Sequence, residues 1–347
     1  MKTALLITIS ILTAVGHSIA VEGVSADWTK VAAANQSLMG DYQGEWSDPP
    51  KGNYYEINKP LAAQVIHVRG GVYQVHFYQE HDMRADPYFE GVGTLEGEMI
   101  RFGGNGWSGM VSKEGITGKS GSISFELKRV VRASPTLGAK SPAGASVLFD
   151  GKNFDAWQHG DGRPVTWHLL DQERMEVNSA LWSDNRKKKI GGDIQTKQKF
   201  GNCEIHLEFR YPVEDGKEGQ GRGNSGFFFQ RDYEVQILNS YGLDGRWNEC
   251  GALYKASPPK VNAARPPMEW QTYDIKYTAS VWNGETMVSA PRIEVRLNGV
   301  LIHQDQEIPF VTAHAFASRT AHPKGDGPIR LQDHGNAIQF RNIWITR

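Results

Sequence analysis

The 347-residue sequence has few cysteines and no excess of either charge. Two cysteines, Cys203 and Cys250, are too few for a disulfide scaffold, and a chain of this length can bury a core without one. The sequence leaves open whether they pair. The 38 basic and 39 acidic residues nearly cancel, so no basic surplus is available to neutralise the phosphates of a nucleic acid. A small neutral ligand suits this composition better.

Long apolar runs are also lacking. Beyond residue 20, no segment approaches the roughly 18 apolar residues that indicate a membrane-spanning helix. The first twenty residues combine Lys2, an apolar run from Ala4 to Val15 and the small-residue ending Ser18-Ile19-Ala20, which are the three parts of a secretory signal peptide. We therefore expect cleavage after Ala20, no membrane span in the mature chain, and an exported protein that is periplasmic or secreted.

Glycine and tryptophan are abundant, with 38 and ten residues, and apolar residues recur in short alternating runs. This pattern predicts an all-β protein. Residues 38–131 indicate a small antiparallel β domain, in which Gly70-Gly71 joins two alternating runs as a hairpin. Residues 132–145, RASPTLGAKSPAGA, have the composition of an interdomain linker.

Residues 146–347 contain many short strand-like runs separated by turn residues, which suits a two-sheet β-sandwich of jelly-roll type. Asn298-Gly299 predicts a tight hairpin within it. We expect the first and last runs of this domain to lie side by side. Arg186 to Lys189 form a basic run in a polar loop, interpreted as a solvated tip or a lid.

The stretch from residue 222 to 240 combines a glycine-rich loop with a strictly alternating strand. Its apolar side is Tyr233, Val235 and Ile237, and its polar side is Asp232, Glu234 and Gln236. The loop GRGNSG matches the dinucleotide fingerprint, but a strand follows it where that motif requires a helix. We interpret its glycines as sites of close backbone approach that present Arg222 and Asn224 towards Glu234. Asp232 and Glu234 could also form the carboxylate pair of a retaining glucanase, which requires a separation of about 5 Å.

Two further polar clusters are candidates for the site. Gln332, Asp333 and His334 form one, in which a histidine of ordinary pKa is a natural general base near neutrality. Glu249, Tyr254 and Lys255 form the other, which supplies an acid, an aromatic ring and a cation. Glu208, which shares the polar side of its strand with Glu204 and His206, could reach the site if that side is the concave face, but exposure to solvent is expected.

Several motifs in order resemble the 3-keto-disaccharide hydrolase family, also described as the 3-keto-alpha-glucoside-1,2-lyase/3-keto-2-hydroxy-glucal hydratase domain. They are LFDGKNFDAW, FGNCEIHLEFR, GRGNSGFFFQRDYEVQILNSYG, NECGALYKASPPKVNAARPPMEWQTYDI and GPIRLQDHGNAIQFRNIWI. The resemblance covers about residues 146–347. It implies a concanavalin-like jelly roll and an exported enzyme that acts on glycosides oxidised at C3. Cys203 stands where an aromatic residue is more usual in the family, which affects packing only.

The resemblance implies that one base removes the C2 proton, which the C3 ketone acidifies, before the C1 substituent leaves and water adds. Either Glu234 or His334 is then the base, and the remaining candidates hold the substrate: Arg222, Asn224, Gln236, Lys255, Tyr254, Gln332, Asp333 and Glu249. No cofactor is implied with certainty. A divalent metal ion on Glu234 and His334 is a candidate, and a separate glycoside 3-dehydrogenase is a candidate partner in the pathway. The alternatives are a non-catalytic carbohydrate-binding module and a retaining glucanase.

Overall fold

A computed structural model describes residues 38–84, 86–178, 191–312 and 321–347. The expected signal peptide and the basic run at 186–189 lie outside the described residues. Within these ranges no helix is long and apolar enough to cross a membrane.

The N-terminal part is a closed antiparallel barrel of eight strands, in which each strand pairs with the next and the last pairs with the first. The strands are β1 (Gly40–Ser47), β2 (Pro60–Arg69), β3 (Val72–Tyr78), β4 (Phe89–Glu96), β5 (Met99–Gly104), β6 (Trp107–Val111), β7 (Ile116–Ser120) and β8 (Ile123–Val130), with one short helix, α1 (Tyr54–Ile57), after β1. The hairpin predicted at Gly70-Gly71 joins β2 to β3. Closure leaves the barrel without an unpaired sheet edge.

Aromatic side chains fill the barrel. Phe77 and Trp107 lie 4.9 Å apart between ring centroids, and Phe125 lies 5.1 Å from Phe77. Gly118 faces Phe125 across the β7–β8 pair, and a Cβ at Gly118 would lie only 2.6 Å from that ring. Rings of this size therefore fit because glycine stands opposite them. The interior is a packed core and contributes structure rather than a ligand chamber.

The C-terminal part is a two-sheet sandwich. Its strands are β9 (Ser146–Phe149), β10 (Trp157–His159), β11 (His168–Leu170), β12 (Arg174–Glu176), β13 (Ile194–Phe200), β14 (Cys203–Arg210), β15 (Ser225–Phe229), β16 (Tyr233–Ile237), β17 (Gln271–Thr278), β18 (Val281–Asn283), β19 (Thr286–Ser289), β20 (Arg292–Leu297), β21 (Val300–Glu307), β22 (Gly327–Leu331) and β23 (Gln339–Thr346). A 3₁₀ turn spans Gly219–Gly221.

The smaller sheet has the order β10-β13-β22-β15-β16, and the larger has the order β11-β12-β23-β14-β17-β20-β21 with β9 paired to β23. The first and last strands of the domain are thus neighbours, as expected. Asn298 and Gly299, both with positive φ, form the predicted turn between β20 and β21. Cys203 and Cys250 are both buried and free. The all-β fold and the jelly-roll sandwich are confirmed.

Residues 132–139 lie as a strap on the outer face of the larger sheet. Gly138 N–H donates to Glu208 Oε1 at 2.6 Å, and Thr136 Oγ1 donates to Asp274 Oδ2 at 2.6 Å. Glu208 is fully buried beneath the strap and accepts from Arg341 Nε at 2.6 Å. The expectation that Glu208 is exposed to solvent is wrong. The polar side of β14 faces away from the sandwich core, but the strap covers it there.

The barrel and the sandwich are joined by an ion-pair network. Arg132 Nε donates to Asp41 Oδ2 at 2.8 Å, and Arg132 Nη1 donates to Asp82 Oδ2 at 2.7 Å. From the sandwich, Arg265 Nη1 donates to Asp82 Oδ1 at 3.0 Å and the Tyr241 hydroxyl donates to Asp41 Oδ1 at 2.8 Å. Asp41 and Asp82 of the barrel therefore each accept hydrogen bonds from the strap and from the sandwich.

Candidate active site

Strand β16 presents Glu234 on the outer face of the smaller sheet. Tyr233, Val235 and Ile237 point inward and belong to the sandwich core, so alternation sends Glu234 to the opposite face. Glu234 is nevertheless only 3% exposed. Burial raises the pKa of its carboxyl to about 8; Arg330 acts in the opposite direction and Asp193 in the same direction. None of the described side chains donates a hydrogen bond to its carboxylate.

A row of side chains crosses all five strands at the level of Glu234. In the strand registers Glu234 faces Phe228, Phe228 faces Arg330, Arg330 faces Gln195, and Gln195 faces Gln158. Residues paired directly across strands point to the same side of a sheet. The outer face therefore carries an acid at one end, an aromatic ring and a cation beside it, and two amides beyond.

Arg330 is held in place by stacking and by an ion pair. Its guanidinium carbon lies 3.7 Å from the centroid of the Phe228 ring, and its Nη1 donates to Asp193 Oδ2 at 2.9 Å. Asp193 Oδ1 in turn accepts from the backbone N–H of Asp333 at 2.9 Å. Asp193 is thus fully engaged, while Arg330 holds a fixed positive charge next to Glu234.

Gly226 makes room for the Glu234 carboxylate. A Cβ at Gly226 would lie 2.6 Å from Glu234 Oε1 and 2.6 Å from Phe228 Cε2. Any side chain at this position would displace one of these groups. The glycine-rich loop therefore does serve close approach, although the group that approaches is the carboxylate of the neighbouring strand.

Gln236 and Asn224 belong to a hydrogen-bond cluster centred on Gln220. Gln236 Nε2 donates to Gln220 Oε1 at 3.0 Å, and Asn224 Nδ2 donates to the Gln220 carbonyl at 2.8 Å. The Oδ1 atom of Asn224 is buried and lacks a partner among the described residues. These two predicted substrate-binding residues thus support the edge of the site next to β16. Asn224 Oδ1 is the one acceptor of the pair that still lacks a partner among the described residues.

Tyr254 and Lys255 lie in the segment of chain between β16 and β17. The Tyr254 backbone N–H donates to the Glu234 carbonyl at 3.1 Å, and its ring packs edge-on against Trp247, which is 46% exposed. Burial raises the pKa of the Tyr254 hydroxyl, and the nearby Glu234 adds to this rise. Lys255 is exposed. Tyr254 and Trp247 therefore form an aromatic border beside Glu234.

Gln332 and Asp333 lie just after β22, the middle strand of the smaller sheet. The Gln332 N–H donates to the Gly226 carbonyl at 3.0 Å, and Asp333 Oδ2 accepts from the Gly192 N–H at 2.8 Å. Burial raises the pKa of the Asp333 carboxyl. A cavity of about 410 Å³ opens here between Asp193, Asp333 and Arg330. Its size suits a sugar unit beside Arg330.

Three of the predicted site residues lie away from Glu234. His334 is exposed in the turn after β22, and the structure gives it no hydrogen bond to any described residue. Arg222 and Glu249 line a cavity between the barrel and the sandwich. Glu249 Oε2 also closes its own turn by accepting from the N–H groups of Gly245 and Arg246, at 2.6 and 2.9 Å.

Arg330, Asp193 and Phe228 were not predicted from the sequence. The run GPIRLQ alternates, so Arg330 could have been placed on the same face as Gln332. Its pairing with β15, which brings it next to Glu234, is not encoded in that alternation. Across the described ranges no three His, Cys, Asp or Glu side chains are placed to share a metal ion. Among these described residues, Glu234 and His334 therefore belong to no such group of three.

Fold and site together define a class of protein, a concanavalin-like jelly-roll sandwich with a buried carboxyl of raised pKa on the outer face of its smaller sheet. The chain belongs to a family described as the 3-keto-alpha-glucoside-1,2-lyase-like domain, whose model matches residues 144–346. The predicted family is therefore confirmed, and the match begins after the strap.

The chain is also similar to several individual proteins. A 3-keto-disaccharide hydrolase of Bacteroides thetaiotaomicron is 24% identical over 238 residues, which is 58% of this chain and 78% of the relative. A crystal structure from Parabacteroides distasonis, described as a candidate glycosyl hydrolase, is 38% identical with a TM-score of 0.52, and the match covers 60% of this chain and 85% of the other. A second structure from that organism with the same description is 22% identical with a TM-score of 0.42, covering 58% and 93% of the two chains.

Proposed function

We propose that the protein is an exported lyase/hydrolase that cleaves 3-keto-glycosides. The observation that carries the proposal is a buried carboxyl, Glu234, whose pKa is raised to about 8 beside the fixed cation of Arg330. A carboxylate of raised pKa is a stronger base once ionised than an ordinary one. Family membership supports the substrate class, and the N-terminal residues 1–20 support export.

The proposed reaction begins at C2 of the keto-sugar. Glu234 takes the C2 proton, and the electron pair of the C2–H bond forms the enolate of the C3 ketone. Arg330 and the amides of the row stabilise the negative charge that develops on the C3 oxygen. His334 stays an alternative base from the sequence, but its exposed position supports a role for it at the rim of the site.

The second half of the reaction breaks the glycosidic bond. The enolate re-forms the ketone, the C1–C2 double bond forms, and the C1 oxygen leaves with a proton that we assign to the Tyr254 hydroxyl. Water then adds its hydroxyl group to C1 and gives its other proton to the Tyr254 phenolate, while Glu234 returns a proton to C2, so that both side chains are restored and the net change is hydrolysis. Gln332 and the cavity beside Asp333 would hold the sugar oxygens during both steps, while Gln236 supports the edge of the site.

The proposal contrasts with a retaining glucanase. That mechanism needs a second free carboxylate about 5 Å from the first. Asp193, the other acid that influences Glu234, is already held by Arg330 and by a backbone N–H. A single base, as elimination requires, fits this arrangement better than a carboxylate pair.

The deciding experiment incubates the purified protein with a 3-keto-glucoside and with its unoxidised parent, each with and without a chelator. We expect aglycone release from the 3-keto-glucoside alone and unchanged rates with the chelator. Release from the parent alone would support the glucanase. Binding of either compound without turnover would support a carbohydrate-binding module. Loss of turnover with the chelator, restored by a divalent ion, would show that a metal takes part.

A further inference from the structure

A polar cleft lies between the barrel and the sandwich, away from the Glu234 face. It consists of two cavities of about 400 and 460 Å³ that share Glu90, Leu243 and Asp244 as lining residues. We call it the interdomain cleft. Its combined lining comes from both parts of the protein, and it contains Arg222 and Glu249, which the Glu234 site does not use.

The barrel wall of the cleft is built by strand register. Gln64, His76 and Glu90 face one another across β2, β3 and β4, and all three point outward because their neighbours Val65, Val75 and Phe89 fill the barrel. Gln74 and Tyr78 lie two residues to either side of His76 on the same face. The wall thus offers two amides, an imidazole, a carboxylate and an aromatic ring.

The sandwich wall contributes the guanidinium of Arg222, most of whose N–H groups make no hydrogen bond to a described residue. Arg222 is half-buried, and the side-chain hydrogen bonds the structure gives it are two long contacts of 3.5 Å from Nη2, to Asn239 Oδ1 and to the Tyr241 carbonyl. No ion pair joins it to a described carboxylate, although Glu249 and Glu218 are close enough to influence it. Its remaining N–H groups are available to an acceptor that enters the cleft.

The two walls are held at a fixed separation. Asp41 and Asp82 of the barrel are bound by Arg132, Arg265 and Tyr241, and Met39, Ile66 and Tyr241 pack together at the base. The cleft is therefore largely formed before any ligand arrives, which is typical of small-molecule sites.

The chemistry of the lining decides the ligand class. Acidic side chains outnumber basic ones, which disfavours an anion, and the described acids form no cluster that could hold a metal ion. The lining is more polar than apolar, which disfavours a lipid. Paired acceptors and donors beside an aromatic ring suit a neutral molecule rich in hydroxyl groups.

We propose that the interdomain cleft is a second saccharide-binding site, separate from the site of bond cleavage. The inference depends on the proposed function only for the choice of sugars as the first ligands to test.

The test uses isothermal titration of the full-length protein with two unoxidised oligosaccharides, cellotetraose and maltotetraose. The variant Gln74→Ala/Glu90→Ala removes two exposed barrel side chains that line the cleft. Its matched control, Gln43→Ala/Glu45→Ala, removes the same two residue types from exposed positions on β1 that do not line it. Loss of two hydrogen bonds should weaken binding of at least one oligosaccharide about tenfold in the cleft variant. The control should bind like the wild type.

Equal binding by the cleft variant and the control would overturn the inference, as would the absence of binding to the wild type. Binding that is lost in Glu234→Gln and unaffected by the cleft variant would place the sugar at the Glu234 face and also overturn it. Turnover of 3-keto-glucosides is measured separately. If turnover fails while the cleft variant alone loses binding, the proposed function is wrong and the second site stands.

Discussion

At the scale of single residues, Glu234 combines a functional environment with a cost to stability. Its carboxyl has a pKa of about 8 in the folded protein, against about 4.5 when unperturbed. Between those values the folded state binds a proton that the unfolded state has released, so stability falls as the pH rises from about 4.5 to about 8. Above that range the folded protein carries the full penalty of a buried charge.

Glu234→Gln should therefore separate activity from stability. We expect turnover of 3-keto-glucosides to fall by about 10²- to 10⁴-fold, the usual contribution of a general base. The melting temperature should change little at pH 5, where the acid is neutral like the amide, and should exceed that of the wild type at pH 9. Thermal melts at the two pH values and initial rates near pH 8 measure both effects.

The control for this prediction is Glu98→Gln, whose side chain is 82% exposed, and it should show neither effect. A wild-type and Glu234→Gln pair whose melting temperatures differ equally at pH 5 and pH 9 would contradict the raised pKa. Retained turnover would instead remove Glu234 from the role of base.

Sequence reasoning placed Glu234 and Gln236 correctly on a strand face because a period of two is a local property. It did not place Arg222 and Glu249, since they lie in loops, where no period relates a residue to a direction. It also missed Arg330, because the contact between Arg330 and Phe228 depends on which distant strands pair. Alternation along one strand thus predicts part of the site, and the rest depends on the order in which the strands pair.

At the scale of elements, the same limit explains the barrel and the strap. Alternation and turn residues predicted the hairpins of the N-terminal domain, but closure depends on the pairing of β1 with β8, which are far apart in the chain. The composition of residues 132–145 predicts a linker. The polar groups it meets, Glu208 and Asp274, belong to strands whose outer face could not be assigned before the sheet order was known.

Glu208 is the main anchor of the strap on the larger sheet. Although burial raises the pKa of its carboxyl, hydrogen bonds from His206, Asn342, Gly138 and Arg341 lower it to about 2. A group with a depressed pKa contributes stability that is present above its ordinary value of about 4.5 and is lost as the pH falls towards 2.

Glu208→Gln should consequently destabilise the protein by about 2–4 kcal/mol at pH 7, because it leaves Arg341 without its buried partner. The difference from the wild type should shrink at pH 3. Denaturant unfolding at both pH values measures it, with Glu204→Gln on the same strand as an exposed control. A loss of stability that is the same at both pH values would show that packing, rather than the charge, holds the strap.

At the scale of the whole molecule, the barrel and the sandwich behave as one unit because charged groups cross between them. Asp82 accepts from Arg132, which follows the barrel, and from Arg265, which lies in the sandwich. Although burial raises the pKa of Asp82, these two arginines hold it below its ordinary value. Its contribution to the interface is therefore full at neutral pH and is lost as the pH falls through the folded pKa.

Asp82→Asn tests whether this network fixes the interdomain cleft. The amide keeps the size of the side chain but gives the two arginines no countercharge, so the barrel should separate more readily from the sandwich while both cores stay folded. Hydrogen exchange should then become faster at the Gly70 N–H, which donates to Asp215 across the interface at 2.8 Å, and stay unchanged at Val75 inside the barrel. Asp155→Asn, an exposed position in the sandwich, is the control and should exchange like the wild type.

Two other outcomes would contradict this prediction. Faster exchange at both Gly70 and Val75 would mean that the barrel itself unfolds. No change at either would mean that the apolar contact of Met39, Ile66 and Tyr241 is enough to hold the barrel and the sandwich together.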